Sequence, residues 1–261
     1  MFVHDLSPIL IQLGPLAIRY YSLAYIAGAL LLYLFVLRSR KTLSMTTKQV
    51  DTLLTYLIIG VIVGGRLGFV LFYHPYLLWR DPLEIIMIWH GGMAFHGGII
   101  GVALAGWLFC RRHNVNFWKL ADVAVVPVAL GLFLGRLANF INGEIVGVVT
   151  DVPWCVVFPD VDHLCRHPSQ LYEATKNLLI AGILVVMGRF NTQTGTRFWT
   201  FVGLYGLLRF VVTFLRDDPS VLWALSMGQV LSFCMLVLAI VMLFVIKKTS
   251  PTKGHVQHKK R

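Results

Sequence analysis

Charge is what this chain of 261 residues has least of. Only 13% of its residues are charged and 57% are hydrophobic, against about 25% charged in an ordinary soluble domain. That shortage excludes a set of soluble domains, each wrapped in its own polar shell. Acidic residues are scarcer still, 12 against 23 Lys and Arg. Cysteine is limited to four, too few for a disulfide scaffold. A glycine-rich nucleotide loop ending in Lys-Ser/Thr and a Gly-x-Ser-x-Gly nucleophile elbow are both missing. The start, "MFVHDLSPILIQLGPLAIRYYS", has no basic n-region and no small-residue cleavage site, so it does not read as a removable signal peptide.

What is present is a series of apolar runs, each near the ~18 residues that cross a bilayer. Seven are read, at about 17–37, 52–73, 93–110, 119–140, 171–188, 198–215 and 226–246. The fifth is weakened by Glu173 and Lys176 in its first turns. "PLEIIMIW" before the third is too short to span and reads as interfacial or re-entrant. With the N-terminus outside, 15 of the 23 basic residues fall in inner segments, among them Arg38, Lys48, Arg111, Lys119, Arg189 and Lys247. The expected fold is an all-α polytopic membrane protein with seven transmembrane helices, N-terminus outside and C-terminus inside. It forms one transmembrane domain over 1–261, with an outer loop at about 141–170 and a basic inner tail at about 247–261. The formal net charge of +11 then reflects topology rather than nucleic acid, and the tail favours anionic headgroups. Cys155 and Cys165 share the outer loop, where a bridge and two free thiols both stay open; Cys110 and Cys234 read as packing residues.

Ionisable side chains inside spans are costly and mark function. Four stand out: Arg66, His96, Arg136 and Arg209. At ~1.5 Å of rise per residue, Arg66 lies about 21 Å from the inner side, Arg136 about 25 Å and Arg209 about 16 Å. His96 begins a span running inward, and Tyr20 and Tyr21 begin the first. These positions point to a shared polar cavity in the outer half of the bilayer. Snorkelling at span ends explains one or two arginines but not Arg209 in mid-span.

Local patterns agree. In "GRLANFINGE", Arg136, Asn139 and Gly143 share a face by i, i+3, i+7 spacing, with Asn142 and Glu144 at the mouth. An arginine, two amides and a carboxylate can bind a phosphate and hydroxyls; a helix end capped by Asn and Gly explains Asn142 and Gly143 but not Arg136. "RFVVTFLR" aligns Arg209, Thr213 and Arg216. In "HPSQLYEA", Ser169 is expected to cap a helix whose first turns hold Glu173. Gly60, Gly64 and Gly68, then Gly97 and Gly101, then Gly131 and Gly135 recur every four residues and are expected to let helices approach closely. "HGGMAFHGG" holds His90 and His96. Six residues apart, they do not share a helix face, and no Cys or acid stands at ligand spacing, so no metal is expected.

The ordered motifs "IRYYSLAY", "GGRLGFVLFY", "WHGGMAFHGG", "GRLANFINGE", "HPSQLYEA", "GLYGLLRF" and "SMGQ" resemble those of the prolipoprotein diacylglyceryl transferases. The similarity covers nearly the whole chain. It implies a seven-span bacterial inner-membrane enzyme that needs no cofactor. Such an enzyme moves diacylglyceryl from phosphatidylglycerol to the lipobox cysteine of a preprolipoprotein, leaving a thioether and glycerol phosphate. On that resemblance the motif histidine is His96 rather than His90. The phosphatidylglycerol-binding arginine is Arg136, with Asn139 and Glu144 as its companions. Tyr21 matches the first-span tyrosine and Arg209 the second essential arginine, and both join His96 and Arg136 in the expected catalytic set. Arg66 and Asn142 join the expected substrate-binding set.

Three positions depart from the family pattern: His90 where Asp is usual, Thr213 where a Glu usually follows the arginine by one turn, and no basic residue near Val148. The missing carboxylate at 213 would orient Arg209 or handle a proton, so an altered or non-catalytic lipid-binding paralogue stands as a rival. An anionic lipid or solute transporter is the other rival, but no internal repeat supports it. The chemistry expected of the enzyme is thiol attack on a glyceryl carbon. His96 or an arginine-held phosphate oxygen takes the proton, while Arg136 and Arg209 stabilise the leaving phosphate.

Overall fold

The computed structural model describes residues 2–14, 16–222 and 225–249. In chain order these form β1 (Phe2–Val3), β2 (Ile9–Leu13), β3 (Leu16–Arg19), α1 (Tyr20–Ser39), α2 (Thr47–Tyr73), α3 (Leu77–Arg80), α4 (Phe95–His113) and α5 (Phe117–Ile141). There follow β4 (Val156–Val157), β5 (Cys165–Arg166), α6 (Ser169–Met187), α7 (Thr196–Thr213), β6 (Ser220–Leu222), β7 (Leu225–Ser226) and α8 (Met227–Thr249). Every apolar run read from the sequence overlaps one of the long helices α1, α2 and α4 to α8. By length and composition, α1, α2, α5 and α8 can cross a membrane. α4 falls short of that group because its run carries four glycines and ends in Arg111, Arg112 and His113. The first helix starts at Tyr20, later than the sequence suggests, because Leu16–Arg19 pairs with Ile9–Leu13 as a hairpin. "PLEIIMIW" forms two short 3-10 turns, Pro82–Ile85 and Ile88–His90. The basic tail lies outside the described residues after Thr249.

The described residues form two compact units: Tyr33–Leu120, and those up to Leu32 together with those from Ala121 on. The Tyr33–Leu120 unit is built on α2 and α4. Thr46 and Gln49 start α2 with a reciprocal capping box: the Gln49 amide donates to Thr46 Oγ1 at 3.2 Å, and the Thr46 amide to Gln49 Oε1 at 2.8 Å. The two helices then meet backbone to backbone along the expected glycine rows. A Cβ added at Gly60 would lie 2.6 Å from the Gly101 carbonyl oxygen, and one at Gly68 would lie 2.8 Å from Gly97 Cα. Alanine at either position would therefore force the helices apart. α4 ends at Asn114 in the left-handed region (φ 55°), a common stop after a helix.

In the other unit, the segment between α5 and α6 is tied down at several points. β1 runs parallel to β4, and β4 pairs antiparallel with β5. The His4 ring nitrogen Nε2 lies 2.7 Å from the Phe140 carbonyl oxygen. Cys155 and Cys165, left open by the sequence, are joined in a disulfide with Cα atoms 5.5 Å apart. The Asp122 carboxylate accepts the Gly195 amide at 2.6 Å and the Phe198 amide at 2.8 Å, satisfying orphan donors at the start of α7. α7 and α8 pack closely at Gly206, where an added Cβ would meet the Ser232 carbonyl oxygen at 2.7 Å. Gly131 approaches Gly28, 3.5 Å from an added Cβ, but Gly135 faces open space and is no packing position.

Candidate active site

The strongest constellation grows from α6. Its first half presents a buried polar face, Gln170, Glu173, Lys176 and Asn177, at helical spacing in an otherwise apolar helix. The Glu173 side chain is 1% exposed. An ionised carboxylate so far from water is sustained only by cations and donors. It has three. Arg209 of α7 donates through Nη1 to Oε1. Arg136 of α5 brings Nε to 3.5 Å from Oε2, and Lys176 brings Nζ to 3.2 Å from the same oxygen. The Lys176 ammonium also lies 3.7 Å from the centroid of the Tyr205 ring, a favourable cation–π position.

Around that centre runs a chain of amides. Arg136 Nη1 donates to Asn139 Oδ1 at 3.4 Å, and Asn139 Nδ2 donates to Glu144 Oε1 at 2.9 Å. Asn142 Nδ2 donates to the same Glu144 oxygen at 3.2 Å. The start of α6 holds this turn in place: Gln170 Nε2 donates to the Glu144 carbonyl at 2.7 Å, and Ser169 Oγ to the Ile145 carbonyl at 2.7 Å. Ser169 is therefore no N-cap. The cap position is Pro168, which makes no side-chain cap bond. Gly143 (φ +68°) turns the chain beyond α5 in the left-handed region that suits glycine.

The arrangement has an electrostatic consequence. One buried carboxylate faces three cations, and the Arg136 and Arg209 side chains stay 17% and 15% exposed. Guanidinium donors turned neither towards Glu173 nor, for Arg136, towards Asn139 can meet an anion. Thr213, where the family pattern has Glu, is buried, and its hydroxyl donates to the Arg209 carbonyl at 2.7 Å on its own helix. Arg209 takes its carboxylate from α6 instead. Just beyond α7, Arg216 Nη2 donates to Asp218 Oδ1 at 2.8 Å, and burial pulls its guanidinium below the usual arginine range. Tyr21 stands in the first turn of α1, edge-to-face with Tyr25 at 5.1 Å between centroids.

The Tyr33–Leu120 unit holds the remaining candidates. Arg66 is buried, and its donors go to protein oxygens. Nε bonds the Ile85 carbonyl at 3.1 Å, and Nη1 the Gly92 carbonyl at 3.2 Å and that of Gly91. Nη2 bonds the Glu84 carbonyl and, at 3.3 Å, its carboxylate. The His90 ring nitrogen Nδ1 lies 2.8 Å from Glu84 Oε2. The hydrogen bond with His90, helped by Arg66, holds the Glu84 carboxyl below the usual carboxylate range. Gly91 and Gly92 have φ of +82° and +80°, so this pair makes the turn that exposes its carbonyls to Arg66. The second pair, Gly97 and Gly98, sits in α4. His96 lies in the first turn of α4, exposed, with its ring 5.8 Å from that of Phe95.

The structure thus joins Arg136, Asn139, Asn142, Glu144 and Arg209 through a residue that sequence reasoning read only as part of a helix start. Glu173, Lys176 and Gln170 were missed as members of the site. Their signal was legible: two arginines in apolar spans need a counter-ion, and Glu173 is an acid inside one of the runs.

Known proteins resemble this chain along almost its whole length. The family model for prolipoprotein diacylglyceryl transferase matches residues 8–245. A phosphatidylglycerol–prolipoprotein diacylglyceryl transferase of Geobacter sulfurreducens is 44% identical over 250 residues, 93% of this chain and 96% of the relative. One of Rickettsia bellii is 40% identical over 259 residues, 95% and 98% of the two chains. One from the Wolbachia of Culex pipiens is 44% identical over 243 residues, 90% and 92%. With full-length relatives at this identity, and with the "GRLANFINGE" and "HPSQLYEA" segments meeting around one carboxylate, the chain belongs to the prolipoprotein diacylglyceryl transferase family.

Proposed function

We infer that this protein is a phosphatidylglycerol–prolipoprotein diacylglyceryl transferase, the enzyme of the first step of lipoprotein lipidation. The family match and the relatives' shared name support this. The finer reading is a multi-pass protein of the bacterial inner membrane with seven spans, N-terminus outside, acting on the lipobox cysteine of a preprolipoprotein. The seven long helices and the inner bias of Lys and Arg support that topology.

In the proposed reaction, the cysteine sulfur attacks the terminal glyceryl carbon of the diacylglycerol moiety. The new C–S bond forms as the C–O bond to phosphate breaks, and its electron pair leaves on the phosphate oxygen. The products are a diacylglyceryl thioether and glycerol phosphate. The thiol, with a usual pKa of about 8.5, must shed its proton. We assign that proton to the His96 imidazole, which has no hydrogen bond among the described residues and is exposed. Arg136 and Arg209 take the phosphate. Each is anchored on one side by Glu173, so neither has to reorganise as charge builds on the leaving group. Asn139, Asn142 and Glu144 set the orientation of Arg136 and can meet glycerol hydroxyls, and we keep Tyr21 in the catalytic set. Arg66 carries a positioning role instead, because its donors are already spent on the turn before His96.

The observation that carries the reading is the arginine pair shared by one buried carboxylate. It also answers the inactive-paralogue reading, which rested on Arg209 lacking an acid at 213. The test uses the purified protein with phosphatidylglycerol vesicles and a lipobox peptide, read by mass. Diacylglyceryl-peptide should form with the wild type and fall by about 100-fold or more in Arg136→Ala, the scale of losing one charged donor to a developing anion. No product from the wild type, or full activity in Arg136→Ala, would sink the assignment.

A further inference from the structure

We propose that Lys176 is a positioning residue of the transfer reaction, setting the charge and reach of the arginine pair from behind Glu173. The inference rests on the phosphate reading of Arg136 and Arg209. Lys176 is 4% exposed, so it does not touch substrate itself. Nor is it needed to neutralise Glu173, which already has two arginines. A buried ammonium in a helix of this kind is costly, and the Tyr205 ring at 3.7 Å offsets only part of that cost. Against Glu173 alone the three cations leave an excess of two positive charges, and one positive charge remains when Glu144, one amide away from Arg136, is counted as well.

That excess matches the reaction. The phosphodiester of phosphatidylglycerol carries one negative charge. The departing glycerol phosphate approaches two, since a phosphate monoester has its second pKa near 6. The extra positive charge is therefore felt more in the transition state than in the bound lipid, which is the condition for raising kcat rather than lowering KM. Lys176 also competes for Glu173 Oε2. Its Nζ is at 3.2 Å and Arg136 Nε at 3.5 Å from the same oxygen. With Lys176 removed, Arg136 can close further onto Glu173, and its outward donors meet the charge that builds on the leaving phosphate less well.

The test compares Lys176→Met, Lys176→Arg and Arg136→Ala with the wild type in the same vesicle and peptide assay, with added glycerol phosphate as product inhibitor. Lys176→Met should lower kcat by about tenfold, a remote charge costing less than a direct donor, and move KM for phosphatidylglycerol by less than about twofold. Glycerol phosphate inhibition should weaken by about the same tenfold. Lys176→Arg, which keeps the charge, should retain at least about half of the wild-type kcat. Unchanged kcat and unchanged product inhibition in Lys176→Met would overturn the proposal. A loss shared equally by Lys176→Arg would also overturn it, because shape and not charge would then be responsible. Lys176→Gln serves as a second neutral variant if the methionine form is not recovered folded. Arg136→Ala separates the two claims. Wild-type inhibition there defeats the phosphate reading itself, whereas a weakened Arg136→Ala beside an unaffected Lys176→Met defeats only the role of the lysine.

Discussion

Two arginine systems in this protein look alike in the sequence and differ in what they leave over. Arg66 meets four backbone carbonyls and one carboxylate. It is a closed account: the turn from Glu84 to Gly92 wraps the guanidinium, and no donor direction faces away from protein. Arg136 and Arg209 share one carboxylate between them and with Lys176. They remain partly open. An arginine in an apolar span signals a demand for partners, and only the inventory of partners tells whether that demand is already met.

The largest effect should come from the residue that holds the open system together. Glu173→Ala leaves the buried Lys176 and two part-buried arginines without their shared anion. It is expected to cost about 3–5 kcal/mol of stability, as breaking a buried pair does, and to reduce transfer below detection. Thermal unfolding in detergent and the mass-detected assay read both losses. A stable, active Glu173→Ala would erase the distinction between the two systems.

Arg66→Met should destabilise by about 2–4 kcal/mol, since it strips partners from several buried carbonyls at once. Its effect on product inhibition should stay within about twofold if its role is only to hold the turn. A smaller, pH-dependent effect belongs to the same turn. The Glu84 carboxyl is held low by its hydrogen bond with His90 and by Arg66. Its contribution is therefore complete above the ordinary glutamate pKa of about 4.3, and is lost as pH falls through the lower folded value. Protection of the Glu84–Gly92 amides from hydrogen exchange, once corrected for intrinsic rates, should fall below about pH 4. Glu84→Gln should remove that dependence.

The smallest effect should be at Thr213. Placing the family's usual acid there by Thr213→Glu is expected to give no gain in kcat, because Arg209 already has Glu173 and a second buried carboxylate needs a cation of its own. A severalfold rise would show that Glu173 alone does not serve Arg209.

The same contrast explains what the sequence disclosed. Periodic apolar runs located the long helices, and glycines at four-residue spacing located the α2–α4 contact, because both are local patterns with one physical meaning. The cost of charge in apolar surroundings singled out Arg66, Arg136 and Arg209 but could not sort them, since their carboxylate partners come from residues 18 to 37 positions away. Glu173 was visible only as an acid near a helix start, where a first-turn role is a sufficient local explanation. Gly135 repeats the packing spacing yet meets nothing, because spacing names a face and not its neighbour. Cysteine pairing likewise depended on β4 and β5 lying side by side.

The measurement that bears most directly on the arginine pair is a phosphorus-31 NMR titration of glycerol phosphate into the detergent-solubilised wild type, Arg136→Ala and Arg66→Met. Saturable binding should appear in the wild type, persist in Arg66→Met and be lost in Arg136→Ala. Binding that survives in Arg136→Ala but disappears in Arg66→Met would contradict the account.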